Sequence, residues 1–451
     1  MSMACGISGG LLPAVEVAAA MRGGELSASD VLETQLARIA RHVPITVKDS
    51  FDTAGLRTVS GYRPFARRIP LKDAAPVARL RDAGAIVLGK TNLPTLASGV
   101  QTDNPVFGRT NNPWDVRVTP GGSSGGAAAA ISAGLSYLEL GSDIGGSIRI
   151  PAHFCGVFGL KTTGGRVAGK GHVASARRLA VPPGFEALTQ LASFGPIARS
   201  IEDLRVALTI IREPGTPALV AAPYTAMAKL RVAWTDDFGG TPLDNDSRRV
   251  MRQFADALVH RGTRVERRTS GDIDYEEAWY VAGVCLGAIN TLFQSSAVRW
   301  LRYLASPVLR SLGSTTALKR DLYAGMALNR ERVQQALADR LRIIEQLETF
   351  LDTRDAWICP VFPTPAFSHR RMNAAIDVDG EPMSQLEANL LHNIVFNMTG
   401  HPVVTIPIGS SSAGLPIGVQ VVGRRWQEMA LLDVATTISS AGDGYHAPPG
   451  Y

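Results

Sequence analysis

With 451 residues, 45% of them hydrophobic and 19% charged, the chain has the make-up of a globular protein long enough for two domains or one large α/β domain. The net charge of +6 is modest, its arginines are scattered, and aromatic residues are only 6%, which argues against a concentrated nucleic-acid face. No run of eighteen uncharged apolar residues predicts a membrane span, and the N-terminus lacks the basic start of a secretory signal. Cys5, Cys155, Cys285 and Cys359 lie far apart with no CxxC pair, so they read as buried, reduced thiols of a cytoplasmic protein.

In chain order, Ser27 to Arg41 predicts a helix behind the capping pattern "SASD". "PITVKDSF" is a short β-branched strand running into a polar turn, and "DAAPVARLRDAGAIVLGKTN" reads as helix, glycine stop and strand. "GGAAAAISAGL" predicts a helix packed closely against its neighbour, because alanine leaves little side chain. "YLELGSDIGGSIRIPAHFCGVFGLK" begins as a strand and dissolves into glycine. From Ala218 to Leu351 the chain is richer in charge, with amphipathic helices in "SRRVMRQFADALVHRG" and "NRERVQQALADRLRIIEQLETFLD" and a strand in "LRVAWTDD". "HPVVTIPIG" and "LPIGVQVVG" are two strands joined by "SSSAG", followed by the helix "QEMALLDVATTIS". Strands alternating with helices argue for an α/β layered fold in one large domain.

Three templates compete for the glycine-rich stretches. "GGRVAGKG" fits the phosphate-binding G-x-x-x-x-G-K, but Gly171 stands where a metal-binding hydroxyl is needed, so a surface loop is the better reading. "GGSSGG" fits a nucleophile elbow at Ser123 or Ser124, yet Thr119-Pro120 favours a loop over a strand end before it, and no downstream histidine is singled out by its context. The third template pairs this loop with "GSDIGGSIR". Successive amides at Ile144, Gly145 and Gly146 make a nest for an oxyanion, and Ser147 after it is placed to attack a carbonyl held there. The serine needs a base. Lys48 follows an apolar run in which burial would lower its pKa; moving it from about 10.4 to 7 or 8 amounts to roughly 3–5 kcal/mol, tolerable only where chemistry or hydrogen bonds repay it. On these residues alone a surface lysine remains an open alternative.

At these residues the chain resembles the amidase signature family of serine hydrolases. "PGGSSGGAAAAISAG" followed by "LELGSDIGGSIRIPAHFCGVFGLKTT" is similar to its signature block, "VPITVKDSFDTAGLRTVSG" to its lysine block, and "GHPVVTIPIG…LPIGVQVVGRRWQEMALL" to its C-terminal return. The resemblance implies a mixed central β-sheet covered by helices on both faces. It divides the domain into a core of about 43–204, a variable helical region of about 218–351 and a return at about 355–440. It also implies a Ser–Ser–Lys triad: Ser147 as nucleophile, Ser123 as proton relay after a cis peptide, Lys48 as base. Ile144, Gly145, Gly146 and Ser147 would give the oxyanion hole, Ser124 a supporting hydroxyl, Asp143 and Arg149 a loop-bracing ion pair, and Ala97 and Gly99 the acyl pocket.

The activity implied is hydrolysis of a carboxamide through an acyl-enzyme, on linear amides, with no cofactor and no metal. Its partners are a small-molecule amide and at most a second copy in a homodimer, with neither nucleic acid nor membrane. The chain departs from the pattern in the short approach "ARIARHVPITVKDS", where the family carries further helix before the lysine. The leading expectation is a free-standing amidohydrolase. Behind it stand the glutamine-hydrolysing amidase subunit of a tRNA-dependent amidotransferase and a catalytically silent member of the fold.

Overall fold

The computed structural model describes residues 43–172, 183–220, 226–269, 273–292, 329–371 and 374–451. The helix expected over Ser27 to Arg41, Cys5 and most of the short approach to Lys48 lie outside these residues.

The strands are β1 (Pro44–Lys48), β2 (Ile86–Thr91), β3 (Leu138–Asp143), β4 (Phe158–Lys161), β5 (Ser193–Ala198), β6 (Arg231–Trp234), β7 (Arg264–Arg267), β8 (Ala356–Pro360), β9 (Val403–Ser410) and β10 (Pro416–Val422). They form one ten-stranded mixed sheet in the order β2-β1-β3-β5-β4-β9-β10-β8-β6-β7. β1 runs parallel to both β2 and β3, as β6 does to β7 and β8, while the middle pairings are antiparallel.

The alternation of side chains across a strand shows how the sheet is covered. On β8, Trp357 and Cys359 pack into one apolar cluster, with helices α6 (Tyr275–Leu292), α7 (Arg330–Asp352) and α9 (Ile394–Thr399). Ala356 and Ile358 pack into another, with α4 (Ile201–Ile211), α5 (Asn245–His260) and α10 (Glu428–Ser439). Helices therefore cover both faces, and the fold is the expected α/β one. Among the described residues no helix is long and apolar enough to cross a membrane.

The amphipathic helices fall where their periodicity places them. α5 starts at Asp244, whose carboxylate accepts from the Ser247 amide, and α7 starts at Asn329, whose side chain accepts from Arg332. α1 (Ala75–Asp82) leads into β2, and α2 (Gly125–Ser132) is buried along all but Ala130. One expectation needs correction. The stretch after β3 does not dissolve into loop: Arg149–Cys155 forms α3, closed by Gly156 at φ 66°. All its residues are buried, so no polar stripe marks it, and Pro151 falls in the first turn, where its missing N–H does no harm. The loop "GGRVAGKG" does reach the surface, at Gly165 and Lys170, but is anchored by Arg166, which is fully buried and paired with Glu428 at 2.8 Å.

Candidate active site

β1 ends at Lys48, and everything chemically notable gathers around its amine. Lys48 is fully buried, with Nζ 2.8 Å from Ser123 Oγ, 2.8 Å from Ser124 Oγ, 3.0 Å from Ser142 Oγ and 3.3 Å from the Ser142 carbonyl. Burial drives its pKa down to about 7, opposed by the carboxylates of Asp143 and Glu139. At neutral pH a large fraction of the amine is therefore uncharged and has a lone pair to offer.

Ser123 lies in the loop before α2, not at a strand end, and the Gly122–Ser123 peptide is cis. The glycine before it is a matter of space: a Cβ on Gly122 would sit 2.5 Å from the Gly99 carbonyl oxygen. Gly99 is thus set directly against the serine loop. Ala97, half-buried, and Leu96 beside it adopt the left-handed backbone at φ 59° and 53°. The Ser124 amide donates to the Ser147 carbonyl at 3.0 Å, which ties the two serine loops together. Ser147 itself is half-buried, more open than the fully buried Lys48.

Between β3 and α3 the chain wraps its amides around Asp143. The carboxylate accepts from Gly145 at 3.1 Å, Gly146 at 2.8 Å and Ile148 at 2.9 Å, and Arg149 pairs with it at 2.8 Å. Both charged groups are completely buried, and although burial pushes the Asp143 pKa up, Arg149 and the amides hold it far below the usual carboxylate range. Gly146 sits at φ 105°, and a Cβ there would strike Ile150 and Asn393 at 2.7–2.8 Å. Two further groups, invisible to motif reading, complete the network. Gln420 accepts from Arg149 at 2.6 Å, and Asn397 donates to the Asp143 carbonyl at 3.0 Å.

This geometry qualifies the nest expected at Ile144, Gly145 and Gly146. The Gly145 and Gly146 amides are spent on Asp143. Among the described residues, the amides of that loop left without a protein acceptor are those of Ile144 and Ser147. Sequence reasoning also missed Ser142, a third hydroxyl on Lys48, and Glu139, a fully buried acid.

The amidase family matches the sequence over residues 28–432. The chain belongs to the amidase family. The glutamyl-tRNA(Gln) amidotransferase subunit of Moorella thermoacetica is 33% identical over 426 residues, covering 90% of this chain and 83% of that one. Among solved structures, the same amidotransferase subunit from Thermotoga maritima superimposes with a TM-score of 0.70 at 28% identity, covering 90% of this chain and 86% of its own. 6-Aminohexanoate cyclic dimer hydrolase does so with a TM-score of 0.70 at 25% identity, covering 97% and 98%. As a member of this family the chain is an amide-hydrolysing enzyme. The relatives favour the amidotransferase role, which the sequence alone places second, over the free-standing amidohydrolase it places first.

Proposed function

We propose that this amidase cleaves a carboxamide through an acyl-enzyme on Ser147, using Lys48 as base and Ser123 as proton relay. The observation that carries this is the buried Lys48 amine, with its pKa near 7, 2.8 Å from Ser123 Oγ. Neutral Lys48 takes the proton of Ser123, which takes that of Ser147 as Ser147 Oγ bonds to the amide carbon. The resulting oxyanion rests on the Ile144 and Ser147 amides, the two that Asp143 leaves unused. The C–N bond then breaks as the relay returns its proton to the leaving nitrogen, and water releases the carboxylate by the same route. Ser124 and Ser142 hold the amine in place, Asp143 and Arg149 brace the loop, and Ala97 and Gly99 border the acyl group. The partners are a small-molecule amide and, in the free-standing case, at most a second copy of the chain.

For the substrate, the curated relatives at 30–33% identity favour glutamine, with the chain acting as the amidase component of a larger assembly. A free-standing hydrolase of other carboxamides is the second reading, supported by the likeness to 6-aminohexanoate cyclic dimer hydrolase. Ammonia release from glutamine and from a panel of aliphatic and aryl amides, each with and without hydroxylamine, tests both. Hydroxamate formation is the expected mark of the acyl-enzyme, and glutamine turnover separates the first substrate reading from the second. Hydrolysis of an amide with no hydroxamate from any substrate contradicts the mechanism.

A further inference from the structure

Glu139 lies outside the mechanism above, yet it is a second buried acid, beside Asp143, on the strand next to the base. Register pairs Thr46 on β1 with Glu139 on β3, and Lys48 on β1 with Thr91 on β2. Thr46 and Lys48 are two residues apart, so these side chains project from one face of the sheet. The Thr91 hydroxyl donates to Glu139 Oε1 at 2.8 Å and the Thr46 hydroxyl opposite it also favours the charged carboxylate, while Oε2 makes no close hydrogen bond among the described residues. A carboxylate can accept about four hydrogen bonds, and this one receives a single firm one with no water access. Its charged form is therefore poorly solvated.

We propose that Glu139 is a positioning residue acting through Lys48, its charge state biasing whether the base holds a proton. This rests on the assignment of Lys48 as the base. The charges acting on the two groups are few. Lys48 on β1 shares the face of Glu139, Lys90 on β2 acts on it from the opposite face while paired with Asp49 at 3.5 Å, and Asp143 acts on Lys48 from β3 itself; buried His172 lies near both lysines with its pKa pushed down to about 3, β5 offers Ile197 opposite Glu139, and α2 carries no charged residue. Burial raises the Glu139 pKa to about 7, against the pull of Thr46, Thr91 and the two lysines, and lowers that of Lys48, so the two groups are drawn toward one range. Two interacting groups in one range titrate as a pair. With Glu139 protonated, Lys48 releases its proton easily and is a base. With Glu139 ionised, the ammonium is favoured, so the carboxylate offsets the positive charge that appears when Lys48 accepts the proton of Ser123.

The test is the rate at which a fluorophosphonate labels Ser147 between pH 5 and 10, in wild type, Glu139→Gln, Thr91→Val and Lys48→Met. Glutamine keeps the size of the side chain and removes the charge, so the midpoint of the rise should fall by roughly half to one pH unit, the low end of what a nearby opposite charge contributes. Thr91→Val removes the donor to Glu139, raises its hold on a proton, and should shift the midpoint the same way by less. It also serves if the glutamine variant does not fold. An unmoved or raised midpoint in the folded variants overturns the role of Glu139. Labelling of Lys48→Met at the wild-type rate overturns instead the assignment of Lys48 as base.

Discussion

Two buried charge systems lie within one loop of each other, and they solve the cost of burial in opposite ways. Asp143 and Arg149 keep both charges, because each supplies the other's counter-ion and the surrounding amides, Asn397 and Gln420 fill the remaining positions. Lys48 is as deeply buried but is met chiefly by hydroxyls, which solvate an amine without fixing a charge on it. The first arrangement gives a rigid loop, and the second a group that titrates near neutrality. On the proposed mechanism the first frames the nucleophile and the second is the base that gains and loses a proton.

Mutations at the two systems should therefore differ in kind. The largest expected effect is at Ser147: Ser147→Ala should lower amide turnover by about ten-thousand-fold or more, since it removes the covalent step, while leaving the melting temperature near wild type. Lys48→Met should slow acylation by about 10²–10⁴-fold, the usual worth of a general base, and yet stabilise the fold. The folded pKa of Lys48 is depressed, so between about pH 7 and 10.5 the unfolded chain holds more protons. Its penalty is thus complete below pH 7 and gone above 10.5. Denaturant melts of Lys48→Met should accordingly gain most at pH 6 and nothing near pH 10.5; a loss of stability at pH 6 would break the contrast.

Arg149→Met should do the reverse, destabilising by about 3–5 kcal/mol by stranding the buried Asp143 carboxylate. Chemical denaturation would reveal it, and a variant as stable as wild type would mean that Asp143 does not depend on its partner. The smallest effect concerns His392, buried against Phe238 with neither ring nitrogen bonded among the described residues. Burial lowers its pKa from 6.5 to about 3, so the unfolded chain takes the proton first as pH falls and stability is lost below 6.5. His392→Phe should recover about 2 kcal/mol at pH 5 relative to its effect at pH 8. Equal effects at both pH values would place the histidine in water.

The contrast between the two systems also tracks what could be read in the sequence. Lys48, Ser123, Ser147, Asp143 and Arg149 are legible through the resemblance of the stretches that hold them to the amidase signature, and α5 and α7 stand in a clear 3.6-residue rhythm. The groups missed are those whose meaning is set by distant chain. Asn397 on α9 and Gln420 on β10 reach the Asp143–Arg149 pair from 254 and 271 residues away, through tertiary packing that no local pattern encodes. α3 is buried all round and so has no amphipathic signature. Glu139 looks like the polar member of an alternating strand, and only the register of β3 against β1, and of β1 against β2, reveals that its face is closed. Cys155 and Cys359, expected to be buried thiols, are indeed free and buried, and burial raises both above the ordinary thiol range.

The most direct measurement is peptide mapping of the protein after reaction with a fluorophosphonate at pH 8, beside Lys48→Met. The account predicts a single adduct on Ser147, formed at least about a hundredfold more slowly in the variant. An adduct on a different serine, or none on the folded protein, would contradict it.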